Sequence, residues 1–175
     1  MRFDLQSILA CLRLKRRSSK AGTSISIYLV GARLIVCPQL TTTDGYYTDG
    51  MPIARNWPMP ADEFARLLRD GLLGSGRIVR SPRASGIDSF KSVITAARKR
   101  SFKSFMADAR LVDLTLADDR LEISPMRNRG SRLGFEGDGT NTLRLPASDL
   151  GRAADCIMAL LIGNAMHDDT AARHG

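Results

Sequence analysis

Arg110-Leu111-Val112-Asp113-Leu114-Thr115-Leu116-Ala117-Asp118-Asp119-Arg120-Leu121-Glu122-Ile123-Ser124-Pro125 is two strands folded about a turn. On either side of Ala117-Asp118-Asp119, apolar and polar side chains alternate with the period of two of a half-buried hairpin. A Gly-rich loop follows, then a strand at Thr142-Leu143-Arg144-Leu145. A closing helix from Ala147 turns Leu150, Ala153, Ala154, Ile157, Leu160 and Leu161 inward. The residues after 164 read as a disordered polar tail.

The same order stands once already, nearer the N-terminus. Ile27-Tyr28-Leu29-Val30, a turn at Gly31-Ala32, and Arg33-Leu34-Ile35-Val36-Cys37-Pro38 parallel the later hairpin, with Arg-Leu-x-apolar-x-Pro matching at an offset of 87 residues. Thr48-Asp49-Gly50 falls opposite Phe135-Glu136-Gly137, and Met59-Pro60-Ala61 opposite Leu145-Pro146-Ala147. A helix follows, with Phe64, Leu67, Leu68 and Leu72 on one face and Asp62 and Glu63 in its first turn, where the helix dipole favours carboxylates. Gly74-Ser75-Gly76 ends it. Two pseudo-repeat units, about 24–74 and 109–162, describe this pattern, and chance likeness between two hairpin-plus-helix segments is the competing explanation. The expected fold is α+β: a single domain over 1–175, with an antiparallel or mixed sheet and helices packed on it.

Between the units, residues 39–58 read as a long loop holding Tyr46, Tyr47 and Trp57. Residues 77–86 read as a basic linker, and a helix with Asp88 as N-cap carries Phe90, Val93, Ile94 and Ala97 inward. Ser101-Phe102-Lys103-Ser104-Phe105-Met106 alternates aromatics with polar or cationic residues, which suits either base contact or one packed face. Glu136-Gly137-Asp138-Gly139-Thr140 reads as a turn without the spacing of a calcium loop. The first 20 residues place Leu5, Ile8, Leu9 and Leu12 at helical spacing before a basic run, an amphipathic helix rather than an export signal.

The chain carries 26 Lys and Arg against 18 Asp and Glu, a net charge of +8, so its partner is expected to be acidic or polyanionic. Cys11, Cys37 and Cys156 have no paired spacing, and His167 and His174 lie in the polar tail. This pattern implies no disulfide framework, metal site or cofactor, and no nucleophile with its base, so no enzyme is expected. Candidate contact residues are the cations Arg77, Arg80, Arg83, Arg98, Lys99 and Arg100, with the aromatics Tyr46, Tyr47 and Trp57. Arginine pairs carboxylates bidentately, and Tyr and Trp dominate interface hot spots. Trp57 and the tyrosines equally suit a lid over the core.

From Lys103-Ser104-Phe105 the chain runs through Leu121-Glu122-Ile123-Ser124-Pro125, Gly134-Phe135-Glu136-Gly137, Thr142-Leu143-Arg144-Leu145-Pro146 and Leu150-Gly151-Arg152-Ala153. In this order the elements resemble the immunity proteins of bacterial contact-dependent growth inhibition. Phe135 stands where that pattern leads one to expect Trp, and the strong basic charge is not a family expectation. The resemblance implies a cytoplasmic, non-enzymatic protein that binds and neutralises the toxin domain of a large exoprotein, without identifying that toxin; a nuclease, a 1:1 complex and no membrane partner are the accompanying expectations. A small nucleic-acid-binding protein is the alternative, resting on charge alone.

Overall fold

Backbone hydrogen bonding makes the two alternating runs the centre of one sheet. The computed structural model describes residues 22–81, 89–137 and 141–163. The first half comprises β1 (Thr23–Val30), β2 (Arg33–Thr42), β3 (Tyr47–Asp49), β4 (Ile53–Asn56) and α1 (Ala61–Gly74). A connection follows with β5 (Ile78–Val79), α2 (Ser89–Ala96) and α3 (Phe102–Met106). The second half comprises β6 (Ala109–Ala117), β7 (Arg120–Asn128), β8 (Phe135–Gly137), β9 (Leu143–Pro146) and α4 (Leu150–Gly163).

The strand order is β3-β2-β1-β6-β7-β8, with β4 and β5 also on β2 and β9 also on β7. All pairings are antiparallel except β5 with β2, so the sheet is mixed. Asp118 and Asp119 turn the second hairpin with φ of 47° and 62°, a left-handed conformation that Asp tolerates better than most residues. Gly31, at φ 57°, serves the first hairpin.

The two hairpins receive their outer partners at corresponding places. Arg33 to Val36 take β4, and Arg120 to Ile123, 87 residues later, take β9. Gln39 to Thr41 take β3, and Met126 to Asn128 take β8. Residues expected to form a loop at 39–58 therefore extend β2 and supply two short strands, and Glu136 and Gly137 are strand rather than turn. Their polar composition hides them from a periodicity argument, because the hairpins' free edges, not their own propensity, hold them.

Helices cover both faces. α1 and α4 bury Phe64, Leu68, Leu72, Ile157 and Leu161 against Ile25, Ile27, Leu34, Val36, Val112, Leu114, Leu121 and Ile123. On the opposite face, α2, the turn after it and α3 set Val93, Ala97, Phe105 and Met106 over Tyr28, Val30, Ile35, Cys37 and Leu111. The result is one α+β domain. Phe105 is fully buried and meets Tyr28 and Phe90 edge-on at 5.6 and 5.2 Å, so the aromatic-cation pattern around it is one packed face. The expected N-terminal helix, the linker residues from Pro82, the Asp88 cap, Arg83, the Asp138-to-Thr140 turn and the tail after 164 lie outside the described residues.

Candidate functional site

The cations and aromatics singled out in the sequence divide between opposite ends of the strands. At one end β2 runs on past its pairing with β1, and β5 lies along it while β3 takes its other edge. Thr41 N–H donates to the Arg77 carbonyl at 2.9 Å, Thr43 N–H to that of Val79 at 2.9 Å, and Thr42 N–H to that of Tyr46 at 2.8 Å. These bonds gather Tyr46, Tyr47, Arg77 and Arg80 on one flap, where Tyr47 is 59% and Ile78 54% exposed. Trp57 does not join them: half-buried, it stands edge-on to Phe64 at 6.3 Å and closes the core beneath α1.

Arg98, Lys99 and Arg100 sit at the other end, about 30 Å away along the ten residues of β2. There α2 stops in a Schellman turn: Lys99 N–H reaches back to the Ile94 carbonyl, Arg98 N–H to that of Thr95, and Arg98 adopts φ 56°. Lys99 Nζ pairs with Asp108 Oδ2 at 2.9 Å, tying the turn to the start of β6 beside Gly31. Ser101 and Ser104 then cap α3 reciprocally.

Two further arginines join these cations from the turn between β7 and β8. Asn128 Nδ2 donates to the carbonyls of Met106 and Ala109, both at 2.8 Å, and Asn128 Oδ1 accepts from Gly130 N–H. The β7–β8 turn, with Arg129 and Arg132, is thereby fastened beside the end of α3. Arg129 Nε pairs with Glu136 at 3.4 Å. The sequence signal was the basic run Arg127-Asn128-Arg129-Gly130-Ser131-Arg132, and only the bonds of Asn128 show what it lies against.

Between the two ends, a row of polar side chains crosses four strands on the face that bears α2 and α3. By register Cys37, Ser26, Asp113 and Ser124 stand side by side on β2, β1, β6 and β7. Ser26 Oγ donates to Asp113 Oδ1 at 2.7 Å, and Gln39 Nε2 donates to Asp49 Oδ1 at 2.6 Å and to Ser26 Oγ at 3.2 Å. Burial pushes the Asp113 carboxyl up; the Ser26 bond opposes this and the nearby Asp49 charge adds to it. Asp49 is raised by burial against its bonds from Gln39 and Cys37. The Tyr28 phenol and the Cys37 thiol are raised, first by burial and then by Asp49. Burial thus shifts each of these groups toward its neutral form.

Among the described residues no group of His, Cys, Asp and Glu is placed to hold a metal ion, and no helix is long and apolar enough to cross a membrane.

No family model and no curated protein matches the chain. Solved structures do. A protein of unknown function from Neisseria meningitidis, NMB0488, superposes with a TM-score of 0.65 at 10% identity, over 84% of this chain and 97% of that one. A chain of the CdiA-CT/CdiI toxin and immunity complex from Yersinia pseudotuberculosis gives a TM-score of 0.59 at 11% identity, over 80% of this chain and 97% of that one. At such identities the likeness is one of fold.

Proposed function

We propose that this chain is an immunity protein, which binds and neutralises the C-terminal toxin domain of a contact-dependent growth inhibition exoprotein. The observation that carries this reading is the fold shared with a chain of a toxin and immunity complex over 80% of the present sequence. Support comes also from the ordered motifs between Lys103 and Ala153, which fall on α3, β7, β8, β9 and α4. In this reading the protein works in the cytoplasm of the producing cell, forms a 1:1 complex, and acts by occupancy rather than catalysis. The toxin it restrains is a nuclease, whose substrate a non-covalent inhibitor need only exclude.

The test is co-expression with the C-terminal domain of a large exoprotein encoded beside this gene. Cells that die from the domain alone should survive with the pair, and calorimetric titration should give one molecule of each per complex. Failure to protect against any such neighbouring domain overturns the proposal. The net charge of +8 favours a second reading, nucleic-acid binding, which requires a salt-sensitive gel shift of duplex or single strands at about 0.15 M salt.

A further inference from the structure

We infer that the toxin is gripped by a basic patch assembled from the α2–α3 turn, α3 and the β7–β8 turn, and that its own contact surface is rich in carboxylates. This deepens the immunity reading and rests on it. Arg98, Lys99, Arg100 and Lys103 come from the first two elements, and Arg129 and Arg132 from the third. The two acids interleaved with them, Asp108 and Glu136, are each paired, with Lys99 and Arg129. The patch therefore carries a surplus of positive charge, whereas the flap at the far end carries Asp44, bonded to Ser81 through its N–H, along with Arg77 and Arg80. On the opposite face, the first turn of α1 carries Asp62 and Glu63, which bounds the patch to one side of the sheet.

The backbone beneath these cations is held in place before any partner arrives. The Schellman turn fixes Arg98, the Lys99–Asp108 pair anchors the turn to the sheet, the Ser101–Ser104 box fixes the start of α3, and Asn128 locks the β7–β8 turn to α3. Gly134 N–H closes that turn on the Gly130 carbonyl at 2.9 Å. A preformed platform spends less ordering entropy on binding, and four of its six cations are arginines, whose planar fork matches a carboxylate. The patch has little with which to read a nucleic acid. Its exposed ring, Phe102, leans edge-on against Phe90 at 5.4 Å, and α3 is five residues long, too short to lie in a groove.

The test uses the full chain and the neighbouring exoprotein's C-terminal domain, with Arg98→Glu/Arg100→Glu/Arg132→Glu compared against Arg77→Glu/Arg80→Glu. Steered association should slow by about tenfold or more in the triple variant and lose most of its salt dependence. The flap variant should stay near wild type. A triple variant that binds like wild type, or a flap variant that loses more, overturns the patch while leaving the immunity reading intact. If the triple variant does not fold by circular dichroism, Arg98→Gln/Arg100→Gln/Arg132→Gln takes its place under the same criteria. If wild type binds no such domain, the immunity reading falls, and retention on immobilised poly-glutamate decides the patch: retention lost in the triple variant supports it and retention unchanged overturns it. Tighter binding of wild type to duplex DNA than to the exoprotein domain at about 0.15 M salt overturns the assignment to an acidic protein.

Discussion

The two halves of this protein place a helix of 14 residues on the same face of the sheet, yet fill the space beneath it differently. Phe64, Leu68 and Leu72 of α1 stand 89 residues before Ala153, Ile157 and Leu161 of α4, and all six are buried. The first helix inserts a phenyl ring and makes room with Gly71, where an added Cβ would meet Val36 Cγ1 at 2.6 Å. The second has no ring there and buries the adjacent alanines 153 and 154. Their ends differ as well. The Leu72 carbonyl accepts from Ser75 N–H and Ser75 Oγ, both local, whereas the Leu161 carbonyl accepts from Arg110 Nη1 at 2.6 Å, across from β6. One backbone plan thus accepts two distributions of volume and two ways of closing a helix, provided that each large side chain faces a small one.

The comparison can be broken most severely at Phe64. Replacing it by Ala, the residue found in the second half, should cost about 3–5 kcal/mol, because the cavity under α1 has no compensating approach of the helix. Urea unfolding measures this, and a loss of less than about 1 kcal/mol would mean that α1 can settle onto the sheet as α4 does. Next in size is Arg110→Ala, which removes a charged donor from the end of α4 and should cost about 1.5–3 kcal/mol. Ser75→Ala should cost less, since the Ser75 N–H still satisfies Leu72, and the two variants side by side show which half closes its helix through the sheet.

Two glycines sharpen the contrast further. Gly71→Ala forces Val36 to move and should destabilise by about 1–3 kcal/mol. Gly151→Ala, with nothing within 4 Å of an added Cβ, should stabilise α4 by up to about 1 kcal/mol. Thermal melts of the two variants should shift in opposite directions.

The smallest expected effect concerns Ser26 and Asp113, which stand 87 residues apart in sequence and face each other across β1 and β6. Burial raises the folded-state pKa of Asp113 above its unfolded value. Its stabilising contribution is then full below the unfolded carboxylate pKa of about 3.9 and is lost as pH rises through the folded value. Asp113→Asn, which keeps an acceptor for Ser26, should match wild type near about pH 3 and exceed it at neutral pH. A stability difference that does not change with pH would show that Asp113 titrates alike in both states.

The α+β class, both hairpins and both long helices were legible because each carries its own periodicity and its own turn or cap. Asp118-Asp119 can turn a hairpin in isolation, and Leu68 and Leu72 define a helix face without knowledge of what they touch. What the chain could not disclose was anything held by an edge or a neighbour. Tyr47–Asp49 and Phe135–Gly137 are strands because β2 and β7 offer them free hydrogen-bonding edges, and three residues are too few to show a period. Asp113 reads as a polar position of an alternating strand, and its pairing with Ser26 is desolvated because helices also cover part of that face. The candidate contact residues divided in the same way: arginines close in sequence, Arg80 and Arg98, went to opposite ends of the sheet, while Arg98 and Arg132 were brought to one end by the bonds of Asn128. Local patterning specifies an element from within a few turns of chain, whereas a surface is made of residues that meet only after long-range pairing, and no spacing in the sequence encodes that meeting.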